Sequence, residues 1–179
     1  KLAITLLSTL RGSICLYQGE ELGLTEAELA FEDLRDPYGI RFWPAFKGRD
    51  GCRTPMVWQG RAANGGFTTG KPWLPVPAAH RRKAVDIEER DAGSVLAHYR
   101  QMLAFRRAHP ALAGGGIEFL DLGDDDLLAF LRTGETERLL CIFNFGDRGK
   151  ALKLPAGLGR ATPVGADGAG SGRRIDGRG

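Results

Sequence analysis

The chain has 179 residues, of which 42% are hydrophobic and 26% charged, a composition typical of globular proteins. Its net charge of +3 is too small to indicate nucleic-acid binding, and no apolar run approaches the roughly 20 residues of a membrane-spanning helix. Cys15, Cys52 and Cys141 are far apart and lack metal-ligand spacing, which predicts no metal site and favours a reducing compartment such as the cytoplasm.

A helix and a short strand are predicted first along the chain. Leucines and Ile4 repeat at helical spacing within residues 1–12, and Gly12 suits the position just beyond a helix end. The run S-I-C-L-Y at 13–17 is almost wholly apolar, which predicts a strand buried on both faces of a parallel sheet. Since the chain starts inside an apolar pattern without methionine, we expect it to be the C-terminal piece of a longer protein.

A long segment at 22–90 contains several prolines and is predicted to be mostly loop. Within it, K-G-R-D-G-C-R-T-P-M-V-W at 47–58 combines three cations, one acid and two glycines. Long loops tend to be functional or disordered, and the many aromatic side chains argue against disorder. The pattern therefore indicates a shaped wall over a polar ligand.

The second half of the chain changes from a helical period to a period of two. A helix is predicted at 91–109, with Asp91 as its N-cap and Pro110 ending it. Alternating apolar residues then predict antiparallel strands, and the glycine-rich end from 157 is expected to be an edge strand and a frayed tail. The predicted strands are 117–121, 127–132, 138–145 and, more weakly, 151–154. We place a domain boundary near Gly114, which divides the chain into 1–113 and 114–179.

Four segments resemble the α-glucosidase and oligo-1,6-glucosidase branch of the family-13 glycoside hydrolases, and the similarity runs from residue 1 to about 154. They are L-R-G-S-I-C-L-Y-Q-G-E-E-L-G-L at 10–24, D-P-Y-G at 36–39, G-R-D-G-C-R-T-P-M-V-W at 48–58 and K-P-W-L-P-V at 71–76. The resemblance implies an α/β plus all-β fold: the last strand and helices of a (β/α)8 barrel, then an antiparallel β-sandwich. It assigns 1–113 to the barrel and 114–179 to the β domain.

The same resemblance implies retaining hydrolysis of terminal α-linked glucose from short oligosaccharides, without a metal or organic cofactor. The catalytic Asp, Glu and second Asp of the family come from earlier barrel loops, and no acid of this chain matches their motifs. We therefore expect no catalytic residue here and no activity from the isolated chain.

Arg49 is the first candidate for substrate contact, because the resemblance gives an arginine of this motif a place over the non-reducing glucose. Arg53 is the alternative holder of that role. Asp50 is expected mainly to accept backbone N–H groups within its own turn, with direct substrate contact as a second possibility. Phe42, Trp43, Phe46 and Trp58 could present flat faces to sugar rings, although aromatics in loops more often serve packing.

Other functions are compatible with the pattern. Within the enzyme class, the alternatives are sucrose hydrolases, sucrose isomerases and other transglucosidases of the same branch. A non-catalytic relative, such as a transporter heavy chain, belongs to a second class. A carbohydrate-binding module at 115–179 belongs to a third, but Phe119, Phe130, Phe143 and Phe145 follow strand alternation and are predicted to be core. An oligosaccharide is the expected partner, with neither nucleic acid nor membrane.

Overall fold

The computed structural model describes residues 1–152, 154, 157–158 and 162–164. They divide into two compact units: the first comprises Lys1–Cys15 and the chain from Tyr99 onward, and the second comprises Leu16–His98. The α-helices are α1 (Leu2–Thr9), α2 (Pro37–Phe42), α3 (Ala78–Arg81), α4 (Val85–Glu88), α5 (Val95–Ala108) and α6 (Pro110–Ala113), and the strands are β1 (Gly116–Leu120), β2 (Leu127–Thr133) and β3 (Arg138–Asn144). None of the described helices has the length and apolar character that a membrane crossing requires.

The first unit packs short helices against a three-stranded antiparallel sheet in the order β1-β2-β3. Phe130 of β2 pairs with Phe119 on one side and Cys141 on the other, so these three side chains share a face. Phe130 is completely buried, and its ring stacks on that of Phe143 at 5.9 Å between centroids. Burial also raises the pKa of the Cys141 thiol to about 11, which keeps it protonated at neutral pH.

Two arginines hold the first unit together by donating to main-chain carbonyls. Arg132 is fully buried and donates to the carbonyls of Gly116 (3.1 Å), Leu112 (2.7 Å) and Gly115 (3.0 Å), and also to that of Thr9. Arg106 donates to the carbonyls of Ser8, Leu10, Gly12 and Leu112. The last carbonyls of a helix lack partners within it, so these guanidinium groups satisfy acceptors at the end of α1.

The second unit is mostly irregular and contains four 3-10 helices besides α2, α3, α4 and the start of α5. They are Glu20–Leu22, Phe31–Asp33, Asp50–Cys52 and Ala63–Gly66. Its apolar centre consists of Leu22, Met56 and Leu96, with Leu24 and Val85 packed against it. The predicted long loop is therefore confirmed, and it is a packed structure with a core of its own.

The predicted strand at 13–17 is wrong: this segment is irregular, and Leu16 and Tyr17 are 39% and 49% exposed. A strand persists only where a neighbour takes up its backbone hydrogen bonds, and no described residue forms a ladder with this segment. The segment is apolar, but a short apolar run does not by itself supply a pairing partner.

The bounds of the helices α1 and α5 differ from the predicted ones. α1 ends at Thr9 rather than near residue 12, and Gly12 follows with a φ of 101°. α5 starts at Val95 because the hydroxyl of Ser94 accepts from the Ala97 N–H at 3.0 Å, whereas Asp91 accepts from Gly93 in a turn. The helix end before Pro110 is confirmed.

The three strands are confirmed to within one residue of their predicted bounds. Phe130 and Phe143 are core as predicted, but Phe119 and Phe145 are 61% and 54% exposed. Phe119 lies on β1, an edge strand, and Phe145 lies just past the end of β3. Residues 151, 152 and 154 do not form the predicted fourth strand, while residue 153 and most of the predicted tail lie outside the described residues.

Replacing Arg132 with methionine keeps the apolar stem and removes the guanidinium donors. Because the carbonyls that Arg132 contacts would lose their partner in a buried place, we expect the free energy of unfolding of the first unit to fall by about 3 kcal/mol. Amide hydrogen exchange in β2 should accelerate by about 100-fold. Arg148→Met, at a side chain that is 88% exposed, is the matched control, and an equal effect of both variants would contradict this role.

Candidate functional site

Two loops of the second unit meet backbone to backbone at glycines. A Cβ atom added at Gly39 would lie 2.5 Å from the carbonyl oxygen of Lys47, which no side chain tolerates. Gly48 has a φ of 76°, and a Cβ atom added there would lie 3.0 Å from both the Cα and the nitrogen of Gly39. The D-P-Y-G and K-G-R-D sequences therefore fold as one paired structure, and this contact brings Asp36 beside the arginine-rich segment.

Asp36 is the acid on which this paired structure converges. One carboxylate oxygen, Oδ1, accepts from the Tyr38 N–H at 3.0 Å and so caps α2, while Oδ2 accepts from the Arg49 N–H at 3.0 Å. Its Oδ2 also lies 3.8 Å from Nε of Arg49 and 3.7 Å from Nη1 of Arg53. The Arg49 and Tyr38 N–H groups, aided by the two arginine charges, hold the pKa of Asp36 below its usual range.

Asp50 is fully buried and reaches back to the other loop. Its Oδ2 accepts from the N–H groups of Arg35 at 2.5 Å and Asp36 at 2.6 Å. Its Oδ1 has no hydrogen-bond partner within the described part of the chain, and Nη1 of Arg53 lies 4.0 Å away. The expectation that Asp50 serves its own turn is thus wrong, because the donors come from a loop 14 residues earlier.

The two arginines are held by charge and not by hydrogen bonds from their guanidinium groups. Within the described residues, neither Arg49 nor Arg53 donates a side-chain hydrogen bond, and their distances to the carboxylates are 3.7 to 4.0 Å. The side chain of Arg53 is 34% exposed and that of Arg49 is 66% exposed. Their donors are therefore available to a ligand.

Arg53 opens onto a cleft of about 300 Å³ in the second unit. Aromatic side chains form much of its wall: Tyr17, Phe67 and Trp73 are each about half exposed. Among the described residues, the lining consists of Tyr17, Gln18, Arg53, Thr54, Pro55, Phe67 and Trp73. An arginine, an amide and flat apolar faces together suit a ligand that has both hydroxyl groups and apolar surface.

The cleft wall is fixed by hydrogen bonds behind it. Asn64, which has a positive φ of 50°, donates from Nδ2 to the carbonyls of Thr68 at 3.1 Å and Gly70 at 2.7 Å, which closes the loop carrying Phe67. His80 is buried and links the Thr54 hydroxyl, at 3.2 Å from Nδ1, to the Thr25 carbonyl, at 2.8 Å from Nε2. The wall is thus preorganised.

The predicted site residues Arg49, Asp50 and Arg53 lie together, and of the three only Arg53 lines the cleft. Sequence reasoning missed Asp36, although the D-P-Y-G motif that contains it was visible. It also missed Phe67 and Trp73, which lie further from the arginines in sequence. The aromatic residues that sequence proximity favours do not line the cleft: Phe42, Trp43, Phe46 and Trp58. Among the described residues, no group of three His, Cys, Asp or Glu side chains is arranged to hold a metal ion.

Residues 1–115 match the family model described as "Alpha amylase, catalytic domain". The chain belongs to the α-amylase family. The match includes the paired loops and the cleft, so this family membership covers the whole candidate site. It also bears out the resemblance to the family-13 glycoside hydrolases.

Three similar proteins are glycosidases by name. A probable alpha-glucosidase of Rhizobium meliloti is 56% identical over 155 residues, covering 87% of this chain and 28% of that protein. A trehalose-6-phosphate hydrolase of Bacillus subtilis is 33% identical, covering 88% of this chain and 31% of that protein. The oligo-1,6-glucosidase of Parageobacillus thermoglucosidasius is 30% identical, covering 87% of this chain and 31% of that protein.

Solved structures of the α-amylase family agree with the fold. The alpha-glucosyl transfer enzyme XgtA matches with a TM-score of 0.81 at 56% identity, covering 87% of this chain and 29% of that chain. The trehalulose synthase MutB from Pseudomonas mesoacidophila matches with a TM-score of 0.75 at 30% identity, covering 87% of this chain and 31% of that chain. The chain thus spans about 30% of the length of these relatives.

Asp36→Asn should change how the second unit responds to acid. Because the pKa of Asp36 is lowered by folding, its contribution to stability is present above the ordinary aspartate value of about 4 and is lost as pH falls through the lowered pKa. We expect the wild-type chain to lose stability in this acid range and Asp36→Asn to lose less. Trp43, Trp58 and Trp73 all lie in this unit, so denaturation followed by tryptophan fluorescence reports on it. Asp33→Asn controls for the change in charge, and identical acid profiles in all three proteins would refute the role of Asp36.

Proposed function

We propose that this chain is part of a larger α-glucosidase that releases terminal α-linked glucose from short oligosaccharides. In this proposal, residues 1–113 end a (β/α)8 barrel and 114–179 belong to a C-terminal β-sandwich. The extent of the family match, residues 1–115, supports the division, and so does the antiparallel sheet that follows. The three free cysteines favour a reducing, cytoplasmic setting.

The single observation that carries the proposal is the cleft beside Arg53 in a chain of the α-amylase family. Its volume of about 300 Å³ lies at the lower end of the range for small-molecule sites. Aromatic faces at Tyr17, Phe67 and Trp73 suit the apolar C–H faces of a sugar ring, and the guanidinium donors suit its hydroxyl groups. An oligosaccharide end satisfies both requirements at once.

The residues of this chain bind and orient the sugar, while the reacting acids come from the rest of the protein. In a retaining reaction, one carboxylate attacks the anomeric carbon as a carboxylic acid protonates the leaving oxygen, and water then hydrolyses the glycosyl-enzyme. Arg53 contacts sugar hydroxyls from the cleft wall. Arg49 belongs to the same ion-pair cluster and offers its exposed guanidinium group to the ligand from outside the cleft, and Asp50 positions Arg53.

Transfer of the glucosyl group is the second candidate activity. Two solved relatives, XgtA and MutB, are a glucosyl transfer enzyme and a trehalulose synthase by name. Their names favour a glycosyl-enzyme that passes its glucosyl group either to water or to a sugar acceptor. The two activities share the glycosyl-enzyme and differ only in what attacks it. Product analysis at high disaccharide concentration separates them, because transfer yields trisaccharides or isomerised disaccharides and hydrolysis yields glucose.

Separate expression of this chain and of the full-length protein tests the division of labour. We expect the full-length protein to release glucose from maltose or isomaltose and the isolated 179-residue chain to release none, because the chain lacks the reacting acids. Glucose is measured enzymatically over several hours. Turnover by the isolated chain would refute the assignment of catalysis to earlier residues, and a full-length protein inert on all α-glucosides would refute the proposed function.

Arg53→Gln in the full-length protein tests the binding role. Loss of charged donors to substrate hydroxyls should lower kcat/KM by about 10- to 100-fold. Arg49→Gln, made in parallel, should cost less because Arg49 does not line the cleft. Arg61→Gln, an exposed arginine eight residues further on, is the matched control. Wild-type kinetics in both Arg53→Gln and Arg49→Gln would exclude this cluster from the binding site.

A further inference from the structure

The charges around Arg53 cancel. Two buried carboxylates, Asp36 and Asp50, face two arginines at 3.7 to 4.0 Å. The local charge of the four side chains is therefore zero. Among the residues lining the cleft, Arg53 is the one charged side chain, and the rest are aromatic or uncharged.

Four backbone N–H groups of the paired loops also donate to these acids. The N–H groups of Arg35 and Asp36 donate hydrogen bonds to the Asp50 carboxylate. Those of Tyr38 and Arg49 donate to the Asp36 carboxylate. Phosphate sites depend on converging backbone N–H groups and uncompensated cations. Here the protein's own carboxylates occupy the place that an anion would take among these donors.

The guanidinium groups nevertheless keep their hydrogen-bonding capacity. Their distances to the carboxylates exceed hydrogen-bond length, and neither arginine donates a side-chain hydrogen bond to any described residue. Arg53 is thus electrically compensated but still able to donate to a neutral oxygen. That combination fits sugar hydroxyls better than it fits phosphate.

We propose that Asp36 and Asp50 are positioning residues that make Arg53 a hydroxyl-binding group, so that this cleft selects a neutral sugar over a phosphorylated one. This inference rests on the proposed function for the identity of the ligand. Its electrostatic part concerns the cluster alone. Asp36 and Asp50 act through Arg53 and do not themselves touch the sugar.

The test measures binding of inorganic phosphate, by calorimetry and by inhibition of hydrolysis of a neutral nitrophenyl α-glucoside, at constant ionic strength. Removing one buried negative charge about 4 Å from Arg53 in Asp36→Asn should tighten phosphate binding by about tenfold or more. Asparagine still caps α2, so we expect the variant to fold. The KM for the neutral glucoside should rise severalfold, because Arg53 is less firmly placed, while kcat changes less.

Three further variants make the result specific. Asp33→Asn removes the same charge three residues away and should leave phosphate binding unchanged. Asp36→Asn combined with Arg53→Gln should lose the gain. Asp50→Asn removes a charge from the other end of the cluster and should reproduce the gain, which covers the case in which Asp36→Asn fails to fold. A gain that persists without Arg53, or that Asp33→Asn matches, would overturn the proposal.

The unmodified full-length protein provides an independent measurement. Glucose should inhibit hydrolysis competitively, and glucose 6-phosphate should bind at least tenfold more weakly. Equal or tighter binding of glucose 6-phosphate would overturn the inference, whatever the variants show. A protein that hydrolyses no α-glucoside, yet gains phosphate binding on loss of Asp36, would refute the proposed function and leave the charge compensation intact.

Discussion

The contact between Asp36 and the backbone of Arg49 is the interaction on which the candidate site depends. One buried carboxylate caps a short helix, accepts from a second loop and faces two arginines. Asp50 forms a second connection between the loops by accepting hydrogen bonds from the N–H groups of the first loop. Because each acid lies in one loop and accepts from the other, neither loop can shift without breaking hydrogen bonds in both.

This mutual arrangement explains how an irregular segment supports a defined cleft. The second unit has little regular structure, and several of its backbone groups find partners in side chains. His80 and the two acids each join parts of the chain that are distant in sequence, and Asn64 closes a local loop. The glycines at 39 and 48 permit the close approach that these bonds require. Arg53 and the aromatic side chains are then presented on a fixed wall.

In the first unit, charged side chains also satisfy main-chain groups, but there the side chains are cations and the main-chain groups are carbonyls. Arg106 and Arg132 supply donors to carbonyls at the end of α1 and around α6, much as the two acids supply acceptors to N–H groups in the second unit. In both units a buried charged side chain serves main-chain groups that no helix or sheet satisfies. Such residues are costly to remove, because their loss leaves buried main-chain groups without hydrogen-bond partners.

The sequence by itself determined the family, the long α5, the three antiparallel strands and the proximity of Arg49, Asp50 and Arg53. These follow from local periodicity and from motifs whose residues are adjacent in the chain. Only the tertiary structure decided that Asp36 joins the arginines, that Phe67 and Trp73 line the cleft, and that residues 13–17 form no strand among the described residues. Each of these depends on contacts or strand partners distant in sequence, and a local pattern carries no information about what lies across a loop or beside a strand.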